Sequence, residues 1–184
     1  GSSFAGKRLL IHGEQGFGDT IQFARYIPMV KSLGGTVIFE TRKQMLGLFH
    51  EFPGIDELAE RVSADTSHIP FDVFTYTMSL PDAFNTTLES VPSAIPYICP
   101  DLQKVARWKK RMRSNGVKVG VVWAGSPEHD NDRNRSCEFK HFMLLSQIPG
   151  ICLYSLQEGD AAEQMAEIEA GTDVVDLGSA FEDF

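Results

Sequence analysis

The 184-residue sequence has no apolar run near the ~18–20 residues a membrane-spanning helix needs. It also lacks the charged-then-apolar leader that directs export. Cysteine is scarce: Cys99, Cys137 and Cys152 are the only three. None forms a CxxC pair, and an odd number suits no disulfide framework, so they read as reduced thiols of a cytoplasmic protein. Basic side chains are in deficit, 17 against 25 acidic, giving a net charge of −8. That argues against a general nucleic-acid coat. What remains is 42% apolar and 23% charged, an ordinary globular composition that excludes collagen, a coiled coil and a disordered tail. The length suits one domain or two small ones. Gly1-Ser2-Ser3 reads as a vector scar and is set aside from the fold.

The pattern is strand, glycine-rich turn, helix, strand, helix. Lys7–His12 carries Leu9-Leu10-Ile11, a short buried strand, and Gly13–Gly18 is a turn with three glycines. Ile21, Ala24, Ile27, Val30 and Leu33 fall near helical spacing, which predicts one helix over Thr20–Leu33, stopped by Gly34-Gly35. Thr36–Phe39 is the next strand. Thr41 and Gln44 form a capping-box pair opening a helix that ends near Pro53-Gly54. Phe71–Thr77 is a third strand, followed by a turn-rich stretch with Pro81, Pro92, Pro96 and Pro100. Asp101 is the expected N-cap, and Gly116 the expected stop, of a helix over 101–115. Its six cations (Lys104, Arg107, Lys109, Lys110, Arg111 and Arg113) read as a solvated face.

The pattern then restarts. Val117–Trp123 is a strand, Gly125–Arg135 a polar loop, Phe139–Ile148 a helix, Ile151–Leu156 a strand, Ala161–Ala170 a helix and Val174–Leu177 a strand. Alternation of β and α implies parallel sheets covered by helices. Two α/β units are therefore expected, 4–115 and 116–184. Ser179–Phe184 reads as the opening of another helix, so the second unit is expected to be incomplete. Its open sheet edge is a candidate for pairing with another copy.

Chemistry is expected in the loops after the strands, where open α/β sheets bind ligands. Gly13, Gly16 and Gly18 allow a tight turn and close approach of a ligand. Asp19 is either an N-cap or a general base for a hydroxyl entering that turn. The fingerprint GxGxxG is not matched, because the spacing here is GxxGxG. Glu40, after the second strand, occupies the kind of place a ribose-binding acid takes. The second candidate is Trp123-Ala124-Gly125-Ser126 with Arg133 and Arg135, whose guanidinium forks match a diphosphate. A metal site from His129, Asp130 and Asp132 is the weaker use of that loop. His12, His50, His68 and His141 attract no role.

The run LLIHGEQGFGDTIQFARYIPMVKSLGGTVIFE, then MSLP, VGVVWAGSPEHDNDRNRS and YSLQEG, resembles glycosyltransferase family nine, which includes the ADP-heptose–lipopolysaccharide heptosyltransferases. The branch fused behind tetratricopeptide repeats is most similar. The resemblance implies a GT-B fold of two Rossmann-like domains, an acceptor domain and a nucleotide-sugar donor domain. It implies inverting transfer without a catalytic metal or other cofactor. It places the base at Asp19, the donor-phosphate cation at Arg135, a small hydroxyl residue near the diphosphate at Ser126, and a residue near the nucleoside at Gln157. Met78–Pro81 would line the acceptor side. The partners implied are a nucleotide-sugar and a glycan, lipid-linked or protein acceptor. The family's further glycine-rich, Asp-Thr-containing donor loop would lie beyond Phe184, and the repeats upstream. These 184 residues alone are therefore expected to lack a complete donor site. Two other readings stand beside this one: a non-catalytic GT-B-like scaffold module, and a dinucleotide-dependent oxidoreductase.

Overall fold

The computed structural model describes residues 3–62, 68–113, 115–168 and 174–181. It is a mixed α/β chain whose described strands form two separate parallel sheets, of four and three strands. One compact unit runs to Pro100 and the other begins at Asp101.

In the first unit the buried run of β1 (Arg8–His12) lies between β2 (Thr36–Thr41) and β4 (Val73–Tyr76), with β3 (Glu57–Glu60) outside β2. All the pairings are parallel. The order β3-β2-β1-β4 is one half of a doubly wound sheet, and its direction of winding reverses between β1 and β4. Leu9, Ile11, Val37 and Phe39 join Phe49 and Phe52 in the main core, while Leu10 and Ile38 meet Ile69 on the other face. Parallel strands covered on both faces need continuous apolar runs, which is why LLI and VIF were legible as strands.

The single helix expected over Thr20–Leu33 is two: α1 (Phe17–Ala24) and α2 (Ile27–Ser32). Pro28 has no N–H to give to the carbonyl of Ala24, and its ring crowds that carbonyl, so the helix breaks there. Gly34 and Gly35 then turn the chain with φ of +89° and +90°. The Thr41/Gln44 capping box is not formed. Thr41 is the last residue of β2, and its hydroxyl reaches Met45 Sδ at 3.7 Å. A 3-10 turn over Lys43–Met45 and a short α3 (Leu46–Phe49) replace the expected helix. β3 was not anticipated. After β4, a 3-10 turn over Thr77–Ser79 leads into α4 (Leu80–Ala83).

The second unit opens with α5 (Leu102–Arg111). Asp101 caps it, accepting from Gln103 N at 2.7 Å. This helix was expected to belong to the first unit. It groups with the second because Trp108 and Met112 pack with Cys152, Tyr154 and Leu177. The helix stops at Arg111, short of Gly116. Gly116 instead brings the chain against Gly150, where an added β-carbon would stand 2.6 Å from the carbonyl oxygen. β5 (Val117–Val121), β6 (Ile151–Ser155) and β7 (Val174–Asp176) pair in that order. The helix expected over Phe139–Ile148 is a 3-10 turn over Phe139–Phe142 followed by α6 (Met143–Ser146). The approach to Pro149 disfavours its continuation. The helix expected over Ala161–Ala170 is a 3-10 segment, Asp160–Glu167, and its last two residues lie outside the described ones. The strand expected through Leu177 ends at Asp176, and a 3-10 turn covers Gly178–Ala180.

Candidate functional site

In the first unit the loop after β1 reaches the mouth of the sheet at its reversal point. Gly13 N donates to Glu40 O at 2.7 Å. A β-carbon on Gly13 would stand 3.0 Å from that oxygen and 3.3 Å from Thr41 Oγ1, so close approach of β2 requires glycine there. Arg61 Nη1 donates to Gly13 O at 3.2 Å, and Arg42 Nη2 donates to Gln15 O at 2.8 Å. On the other side Glu14 Oε1 accepts from Met78 N at 3.3 Å. The turn is thus tied both to the end of β2 and to Met78, after β4. Gly16 and Gly18 are exposed, and a β-carbon on Gly18 would meet nothing within 4 Å.

Asp19 is not the N-cap. Gly16 holds that position, and Asp19 sits in the first turn of α1, where its Oδ2 accepts from Gly16 N at 2.9 Å. A carboxylate there both satisfies a free N–H and faces the positive end of the helix. The side chain is half-buried beside the two exposed glycines.

A pair not anticipated from sequence lies on the same strand ends. His12 Nδ1 and Glu40 Oε2 are 2.5 Å apart. Glu40 is fully buried, and its Oε1 has no hydrogen-bond partner. Glu40 therefore does not present an acid at an open edge, as the ribose-binding reading required. The signal for the pair was register: β1 and β2 place residues 12 and 40 side by side. Thr77 Oγ1, after β4, is likewise buried without a partner.

In the second unit the loop after β5 is held by one side chain. Gln157 is buried at the end of β6. Its Oε1 accepts from Trp123 N at 3.0 Å and Ala124 N at 2.9 Å. Its Nε2 donates to Ala124 O at 3.1 Å and Glu158 O at 2.8 Å. All the amide's capacity is used within the protein, so Gln157 shapes the loop rather than offering a free group to a nucleoside. Gly178 lets the chain after β7 close on the same residue, since a β-carbon there would stand 2.2 Å from Gln157 O.

Farther along, Gly125 N donates to Ser136 Oγ at 3.0 Å, and Ser136 in turn donates to Asp132 Oδ1 at 2.6 Å. The guanidinium of Arg135 lies against Gly125, within 3.0–3.2 Å of where a β-carbon would be. Arg133, Arg135 and Ser126 are exposed, and neither arginine makes an ion pair among the described residues. Ser126 O accepts from His129 N at 3.1 Å, fixing the turn. His129 Nδ1 accepts from Asn131 N, and Asp132 is taken by Ser136. Among the described residues no group of three or more His, Cys, Asp or Glu is placed to hold a metal ion.

No family model matches the chain, and no solved structure matches it. It is similar to Protein FlbA of Caulobacter vibrioides, with 31% identity over 186 residues. That match takes in 90% of this chain but only 31% of FlbA, so the chain spans under a third of that relative's length. No described helix is long and apolar enough to cross a membrane.

Proposed function

We propose that the two units are the parallel-sheet halves of a GT-B-type glycosyltransferase of heptosyltransferase kind. In this reading the whole protein transfers a sugar from a nucleotide-diphosphate donor to an acceptor hydroxyl in the cytoplasm. The observation that carries it is a loop of like origin in each unit. Each follows the first strand of its sheet. One carries a half-buried carboxylate, Asp19, beside two bare glycines. The other carries the guanidinium of Arg135, against Gly125 and without an ion pair among the described residues.

Asp19 takes the proton of the acceptor hydroxyl. The hydroxyl oxygen then bonds to the anomeric carbon as the bond to the diphosphate breaks, on the opposite face. The negative charge released onto the diphosphate is met by Arg135 and Arg133, without a metal or cofactor. Ser126 supplies a hydroxyl beside them, and Gln157 holds the loop in shape.

A scaffold reading has its own support, because the bond from Gly16 N to Asp19 is also what a helix cap needs. Asp19→Asn in the whole protein separates the two, since the amide oxygen can still accept from Gly16 N. Sugar transfer from a panel of nucleotide-sugars, followed by mass spectrometry, is expected to fall by ~10²–10⁴ in rate. Transfer at the wild-type rate would leave Asp19 with only its structural bond from Gly16 N, and no transfer by the wild-type protein with any donor would support the scaffold.

A further inference from the structure

Glu40 has no part in the transfer chemistry above, and stability gives no reason for it. Its side chain is fully buried, Oε1 has no partner, and Oε2 faces His12 Nδ1 at 2.5 Å. Buried ionic pairs are seldom more stabilising than apolar residues of the same volume. What the carboxylate does accomplish is to fix the imidazole. With Nδ1 committed to Glu40, Nε2 is the ring nitrogen left for another partner. No bond to Nε2 is found among the described residues.

The surroundings of His12 are aromatic. Tyr76 stacks on it with ring centroids 5.4 Å apart and 30° between planes, and Phe74 meets it edge-on at 6.0 Å. Tyr76 and Phe74 stand nearly perpendicular to each other at 5.9 Å. Both stay open to solvent, 44% and 55% exposed. Register explains the grouping: residues 10, 12, 74 and 76 share one face of β1 and β4. Among the described residues, Leu10, Ile38 and Ile69 form a small cluster on that face, with Ala59 and Phe71 packed against it. The result is an aromatic shelf with one oriented imidazole nitrogen, at the strand ends where ligands of such sheets bind.

We propose that His12, Glu40, Tyr76 and Phe74 form a binding subsite for an uncharged hydroxylated ring, the sugar that serves as acceptor. The ring's apolar C–H face lies on Tyr76 and Phe74, and one hydroxyl hydrogen-bonds with His12 Nε2. The role as acceptor rests on the sugar-transfer reading, whereas the shelf and its oriented imidazole do not. His12 is here a positioning residue, and Asp19 remains the base.

The test uses this chain and no nucleotide-sugar. Side-chain resonances of His12, Tyr76 and Phe74 are followed by NMR while methyl pyranosides of glucose, galactose and mannose are added. Adenosine monophosphate is added in a parallel titration. The pyranosides are expected to shift all three residues saturably in the millimolar range, and the nucleotide is not. His12→Ala and Tyr76→Ala should each weaken binding ~5–10-fold, the loss of one hydrogen bond or one stacking surface. His12→Gln, whose amide can both donate and accept, should restore most of it. Amide spectra verify folding, and Phe74→Ala, at an exposed position, serves if a His12 variant unfolds.

No response to any pyranoside overturns the proposal. So does a response unchanged in His12→Ala and Tyr76→Ala, or a preference for the nucleotide. Pyranoside binding with no transfer by the whole protein would keep this subsite and remove the transferase reading. Transfer without pyranoside binding would do the reverse.

Discussion

The loops after β1 and after β5 each follow the first strand of their own sheet, yet they are held by different chemistry. The first is fastened by main-chain contacts and many weak ties: Gly13 N to Glu40 O, arginines to Gly13 O and Gln15 O, and Glu14 to Met78 N. The second depends on one buried amide, Gln157, which makes four hydrogen bonds. A loop held by backbone geometry tolerates loss of any one side chain but not the addition of a β-carbon. A loop held by a single side chain has the opposite weakness.

The largest expected effect is therefore Gln157→Ala. It leaves Trp123 N–H, Ala124 N–H and Ala124 C=O without their partner in a buried setting. Loss of about 2–4 kcal/mol is expected from urea unfolding, since each stranded group costs on the order of 1–3 kcal/mol and local relaxation recovers part. Amide exchange should quicken in the second unit alone, and exchange quickened equally in both units would break the comparison. Next comes Gly13→Ala. Its methyl group meets main chain rather than a flexible tip, and about 1–2 kcal/mol is expected from the forced shift. Truncating Glu14 to alanine should cost less than Gly13→Ala. The reverse order would show that the first loop is also pinned by a side chain.

The smallest effect concerns pH. Burial pushes the Asp56 carboxyl up, but hydrogen bonds from Lys31 Nζ and Val37 N, each 2.7 Å, together hold it below the ordinary aspartate value. A carboxylate depressed in the fold stabilises fully above its unfolded pKa of about 3.9. That contribution is lost as pH falls through the lower folded value. The side chain is 35% exposed, so solvent screening limits the effect to about 0.5 kcal/mol. Asp56→Asn should flatten the first unit's acid sensitivity below about pH 4, measured by thermal melts across that range. An unchanged profile would mean that the Lys31 pair adds nothing to stability.

Continuous apolar strands were legible because burial on both faces demands them: LLI in β1, VIF in β2 and CLY in β6. Glu57-Leu-Ala-Glu60 was not, because an edge strand with exposed ends has no such requirement. Helices were read too long wherever apolar spacing ran through a proline, as at Pro28. The candidate loops were found from their glycines and arginines. The His12–Glu40 pair was missed because neither residue is unusual alone. Only the pairing register of β1 with β2 sets them together, and a lone sequence does not state register.

The break at Pro28 has one more consequence. Where α2 begins, its backbone steps aside just as the chain passes on its way into β3. A β-carbon on Gly54 would stand 3.0 Å from Pro28 Cα and 3.1 Å from Ile27 O, at a φ of +91°. The joint leading to the outermost strand thus closes only while position 54 stays bare, because main-chain atoms already fill the space a side chain would take.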